Sequence, residues 1–132
     1  MIGRDAGRLG PMSFVESVVG GSVLLTARGR IDMSNSDAFK DSLMAAVSEA
    51  DRAVVVDMAQ VDYISSAGLR SLMIALRAAK SESKGFGVAA LAPLVMEIFT
   101  ISRFNLVFSL YPAVRDALAE LSPASLPAFE AS

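Results

Sequence analysis

The chain has no cysteine and no histidine among its 132 residues. Without thiols there is no disulfide, no thiolate metal site and no cysteine nucleophile. Without imidazole the commonest general base and the usual zinc ligand are gone, and with them any Ser-His-Asp triad. An excess of charge of one sign is also lacking. The net charge is −2, which offers no basic stripe of the kind that nucleic acids require. The most hydrophobic stretch, Phe86 to Ile101, is interrupted by Pro93 and Glu97 and is too short to span a bilayer. The opening MIGRDAGRLGPM has no apolar signal-peptide region. These features predict a cytoplasmic chain with no membrane insertion, no nucleic-acid ligand, no cofactor and no metal.

What is present argues for one folded domain. Apolar residues make up 53% of the chain and charged residues 20%, a balance unlike that of disordered chains. The length suits a single core. Residues 1–10 hold three glycines and two arginines and are expected to form a loose tail. Met12 to Val19 and Ser22 to Arg28 read as strands joined by the turn Gly20-Gly21, and Gly29 allows the backbone to bend as the second one ends. Ser34 or Asn35 is placed to cap a helix carrying Phe39, Leu43, Ala46 and Val47 on one face. Ala53 to Met58 has no polar alternation, as in a strand covered on both sides. A polar connection through Asp57 and Gln60 is expected next, then a helix from about Ser66 to Lys80. Phe86 to Leu91 is predicted as a strand, and Pro93 opens a helix burying Leu94, Val95, Ile98 and Phe99. A short strand is expected over Leu106 to Ser109, and a helix after Pro112 with Val114, Ala117, Leu118 and Leu121 inward. Residues 122–132, SPASLPAFEAS, read as a frayed tail. The fold class is therefore α/β, with a mixed sheet of four to five strands and about four helices packed on it, and residues 11–121 as the domain. Right-handed crossovers bring strand ends and helix starts to a common edge, where Ser66 should lie near Asp32.

The chemistry concentrates at the seam Ser65-Ser66-Ala67-Gly68. Two hydroxyls are presented where a helix begins, beside residues of little bulk and a glycine that lets another backbone come close. A serine there also serves as an ordinary N-cap, worth about 1 kcal/mol. One serine suffices for a cap, however, and glycine in the first turn costs about 1 kcal/mol against alanine. Asp32 reads either as a turn carboxylate or as part of the same site. Asp57 and Asp62 lack a third ligand and read as structural carboxylates. Arg70 and Arg77 share one helix face, which is either a solvated face or a border to a docking patch. Met33, Met44, Met58, Met73 and Met96 are expected mostly to fill the core.

Val61-Asp-Tyr-Ile-Ser-Ser-Ala-Gly-Leu-Arg-Ser-Leu72 resembles the signature loop and helix start of the STAS domain, the fold of bacterial anti-sigma factor antagonists. Gly29-Arg30-Ile31-Asp32 resembles a second element of that family, a strand ending in Gly-x-hydrophobic-Asp before a helix. The element order matches from about Pro11 to Leu121. The resemblance implies that Ser66 is the serine phosphorylated by a partner kinase, with Asp32, Ser65, Ala67, Gly68 and Arg70 in the partner's footprint. Where the best-known members carry Asp before the acceptor, this chain has Ser65, which becomes the alternative acceptor. The implied function is partner switching. The unphosphorylated chain binds an anti-sigma factor with serine-kinase activity and releases the sigma factor. Phosphorylation at Ser66 turns the binding off, and a phosphoserine phosphatase restores it. The chain would be a regulator and not an enzyme, either a monomer or a weak dimer. The alternative is an accessory STAS subunit that docks in a transport or stress-sensing complex without phosphorylation. A serine hydrolase is disfavoured, since Ile64 stands where a nucleophile elbow needs glycine and no histidine exists.

Overall fold

Val54, Val55 and Val56 are completely buried, and their alternate side chains enter two different cores. Val54 and Val56 join a core with Phe39, Leu43, Leu72, Val95 and Phe99. Val55 faces the other way, against Ala89, Ala117 and Leu118. A strand apolar on both faces must be covered on both, and this one is the middle strand of five. The computed structural model describes residues 12–132. The strands are β1 (Met12–Val19), β2 (Ser22–Ile31), β3 (Ala53–Ile64), β4 (Gly85–Ala89) and β5 (Ser109–Tyr111), and they lie in sequence order across one sheet. β1 is antiparallel to β2, and the remaining neighbours are parallel. The helices are α1 (Ser36–Glu49), α2 (Ser66–Ser81), α3 (Pro93–Ile101), α4 (Val114–Leu121) and α5 (Leu126–Ala131). The mixed α/β sheet expected from the sequence is present, with one helix more than anticipated. The expected N-terminal tail, 1–10, lies outside the described residues.

Four expectations are corrected. β3 continues through the predicted connection to Ile64. Thr26 pairs with Asp57 and Arg28 with Gln60, then Gly29 with Val61 and Arg30 with Tyr63. At each step β3 takes one residue more than β2, so it carries two bulges. The buried positions therefore run Met58, Val61, Ile64, a spacing of three that hides a strand from a period-2 reading. Gly29, at φ +90°, supplies the left-handed backbone beside the second bulge.

The strand expected over Leu106–Ser109 is instead a 3-10 turn at Phe104–Leu106 followed by β5. Arg103, at φ +66°, swings the chain round, and the Phe104 carbonyl then accepts from the amides of both Val107 and Phe108. Leu94, expected inward, is 54% exposed. It sits in the first turn of α3, whose buried residues are Val95 and Phe99.

Residues 122–132 are not a frayed tail. Ser125 is fully buried, and its hydroxyl donates to the Gly20 carbonyl at 2.7 Å. That uses its only proton, so the Ser22 and Ser122 hydroxyls, at 2.8 and 2.9 Å, donate to Ser125 Oγ. Leu126 and Phe129 then pack on the second core, and Arg115 pairs with Glu130 at 2.7 Å. The serines that make this segment look solvated satisfy one another inside the fold.

Candidate partner-binding edge

β2 and β3 end side by side, and the Ser65 amide donates to the Ile31 carbonyl at 2.8 Å. That one bond brings the loop holding Asp32 against the head of α2. Ser65 occupies the N-cap position in extended backbone (φ −86°, ψ 173°), and its Oγ accepts from the Gly68 amide at 3.3 Å. This satisfies one of the donors that every helix start leaves free. Ser66 is the first residue of α2, exposed, and makes no side-chain hydrogen bond among the described residues. The two serines thus divide the work: the first caps the helix, and the second presents its hydroxyl to solvent.

Gly68 does not offer surface to a partner. It is buried, and a Cβ there would stand 2.7 Å from Ile64 Cγ1 and 2.8 Å from Ile31 Cγ2. The glycine lets α2 settle onto the ends of β2 and β3, so its contribution to the site is to hold Ser66 close to the Asp32 loop. Ala67 is half-buried. Ser71, one turn further on, donates to the Ser36 carbonyl at 2.9 Å and ties α2 to the start of α1.

Asp32 belongs to a rigid turn. Its Oδ1 accepts from the Ser34 amide at 2.9 Å and from the Ser34 hydroxyl at 2.6 Å, while Oδ2 faces Arg30 Nε at 3.3 Å. The Ser34 hydroxyl and amide, with a smaller contribution from the Arg30 guanidinium, hold the carboxyl below its ordinary pKa. Arg30 in turn lies over the Tyr63 ring at 4.2 Å, a cross-strand cation–π contact. Asn35 stands at the N-cap position of α1 without capping it. Its side chain accepts from the Asp32 amide and donates to the Arg30 carbonyl, both at 2.9 Å. The carboxylate is therefore fixed and ionised at the edge where Ser66 is presented. Asp57 has a local role, accepting from the Ala59 amide at 3.0 Å beside the first bulge.

Met33, 82% exposed, projects from the same turn. The expectation that the methionines fill the core holds for Met58, which is fully buried, and fails for Met33, Met44 and Met96. Arg70 lies one turn beyond Ser66, and both border a groove of about 510 Å³ that continues along α2 to Arg77. Its far wall, at Ser102 and Phe104, was not anticipated, because the sequence places both residues in the connection between a helix ending around Ile101 and the strand expected from Leu106. No helix of the described residues is long and apolar enough to cross a membrane.

Known proteins are similar to this chain along most of its length. BtrV of Bordetella bronchiseptica, assigned by name to the anti-sigma factor antagonists, is 29% identical over 88% of this chain and 99% of its own length. The anti-sigma-F factor antagonist RsfB of Mycobacterium tuberculosis is 28% identical over 74% of this chain and 80% of its own. The crystal structure of an anti-sigma factor antagonist from Mycobacterium paratuberculosis superposes with a TM-score of 0.76 at 27% identity, covering 83% of this chain and 93% of the other. The family model described as "Mlab, STAS domain" matches residues 15–111, from within β1 to the last residue of β5. That span takes in most of β1, the other four strands and the whole edge bearing Asp32, Ser65 and Ser66, and the chain belongs to the STAS domain family.

Proposed function

We propose that this chain is an anti-sigma factor antagonist that works by partner switching in the cytoplasm. Unmodified, it binds an anti-sigma factor with serine-kinase activity and so frees the sigma factor. The kinase transfers a phosphoryl group from ATP to the Ser66 hydroxyl, binding is lost, and a phosphoserine phosphatase resets the chain. The observation that carries this reading is the division of labour at the head of α2. Because Ser65 already caps the helix, the Ser66 side chain is free of hydrogen bonds among the described residues and open to a kinase. The likeness to relatives named as antagonists supports the same conclusion.

The switch needs no rearrangement of the fold. A phosphate on Ser66 adds about −1.5 to −2 charges and three acceptor oxygens. The free amides and dipole at the start of α2 stabilise that charge. A partner surface fitted to a neutral hydroxyl would instead face a desolvated dianion and lose several kcal/mol. The chain itself is the substrate and not the catalyst.

The test is intact mass after incubation with the partner kinase and ATP, using wild type, Ser66→Ala and Ser65→Ala. One phosphate is expected on wild type and Ser65→Ala and none on Ser66→Ala. A phosphate lost only in Ser65→Ala would move the acceptor by one residue. No phosphate from a kinase shown to bind the chain would overturn the switch and favour docking without modification.

A further inference from the structure

The groove that begins at Ser66 combines apolar and cationic side chains. Leu69, Met73, Ile74 and Phe104 line it with apolar side chains, together with the exposed Arg70 and Arg77. No carboxylate lines it. Neither arginine forms a salt bridge among the described residues, although three other cations do. This local positive charge belongs to a chain whose net charge is −2, so it is not a general property of the surface. The apolar character continues past the groove, where Ile101 and Leu106 are 76% and 73% exposed.

The geometry points to a partner's acidic amphipathic helix as the occupant of this groove. Its apolar face would rest on Leu69, Met73 and Phe104, and its carboxylates would pair with Arg70 and Arg77. An amphipathic helix reads a groove through anchors at i, i+3, i+4 and i+7. Arg70 and Arg77 are seven residues apart on α2, about 10 Å along its axis, which suits two carboxylates seven apart on an accompanying helix. The identity of the partner rests on the antagonist reading: the helix belongs to the anti-sigma kinase.

This placement also couples the groove to the switch. Ser66 precedes Arg70 by four residues, the spacing at which helix side chains meet, and both border the groove. A phosphate on Ser66 takes Arg70 as its counter-ion and repels the incoming carboxylates. Modification therefore shuts the groove by charge, over a length of α2 well beyond the phosphorylated residue.

Arg77 separates the groove from the switch, because it is eleven residues, or about 16 Å, from Ser66 along the helix. The measurement is the affinity of the kinase that modifies Ser66 for wild type, Arg77→Glu, Arg77→Lys and Ser66→Asp, at low and high salt, after circular dichroism has shown each variant folded. Arg77→Glu is expected to weaken binding at least ten-fold, about 1.4 kcal/mol. Arg77→Lys should stay close to wild type, and added salt should weaken the wild-type complex. Loss of binding in Ser66→Asp with full binding in Arg77→Glu would overturn the groove and leave the antagonist reading standing.

A kinase that neither binds nor modifies the wild type would overturn the antagonist reading instead. The groove is then tested directly with two synthetic helical peptides sharing one apolar face, one bearing glutamates and the other lysines. Anisotropy should show the glutamate peptide binding wild type and not Arg70→Glu/Arg77→Glu. Equal binding of the two peptides, or of neither, overturns the proposal. Self-association abolished by Arg77→Glu would overturn it too, by making a second copy the occupant.

Discussion

Ser65 and Ser66 are chemically identical, and their surroundings alone assign them different work. The Ser65 hydroxyl accepts from the Gly68 amide, and removing such an N-cap costs about 1 kcal/mol. The Ser66 hydroxyl has no partner among the described residues, so its loss should leave stability within about 0.5 kcal/mol of wild type. Urea denaturation is therefore expected to show Ser65→Ala clearly destabilised and Ser66→Ala nearly silent, the reverse of their order in a phosphorylation assay. Equal effects on stability would mean that the cap is shared and that Ser66 is not free. The pair was legible in the sequence as a surplus, one hydroxyl more than a cap requires. Which serine did which was not legible, because the assignment depends on where the first helical residue falls, and helix ends shift by a residue or two without changing the pattern.

At the scale of elements, the site depends on how closely α2 descends onto β2 and β3. Gly68 sets that distance. An alanine there gains helix propensity of up to about 1 kcal/mol, yet its Cβ would fall within 2.8 Å of both Ile31 and Ile64, which are completely buried and have no room to move. Overpacking of this kind costs about 1–3 kcal/mol. Gly68→Ala is therefore expected to lower stability, with the midpoint of urea unfolding shifted down and the amide resonances of Ile31, Ser65 and Ser66 displaced. A rise in stability would mean that the glycine serves access, as the sequence had suggested. α1 to α4 were legible because their apolar residues, such as Leu69, Leu72 and Leu76 in α2, keep a helical period, and β1, β2 and β4 were legible as short apolar runs bounded by glycine. The far half of β3 was not. Two bulges put Met58, Val61 and Ile64 on the inside at intervals of three, and no two-residue alternation survives them. Phe104 was missed for a related reason, since the turn that carries it to the groove hangs on a left-handed arginine, Arg103, where no glycine or asparagine marks the bend.

For the whole molecule, the surprise lies at the end of the chain, in the eleven residues whose prolines and serines resemble a solvated tail. Composition cannot distinguish a serine facing water from a serine buried among other serines. Ser22 and Ser125 are 103 positions apart in sequence, and only the closed fold brings them together. Gly20, at φ +56°, has Ser125 Cα 2.9 Å from the place a Cβ would take, so the hairpin between β1 and β2 is shaped to receive this segment. The C-terminal residues thereby clamp the first two strands to the face covered by α4. Replacing Ser125 with alanine would strand the Gly20 carbonyl without its donor and leave the Ser22 and Ser122 hydroxyls without their acceptor. Buried polar groups left unpaired cost about 1–3 kcal/mol. The expected result is a loss of that size for Ser125→Ala, measured by urea denaturation, together with faster hydrogen exchange at Gly20 to Val23. The control is Ser132→Ala, at the exposed end of α5, which should stay within about 0.5 kcal/mol of wild type. If Ser125→Ala were as silent as Ser132→Ala, the segment would be a tail after all, and the second core would have to hold together on α4 alone.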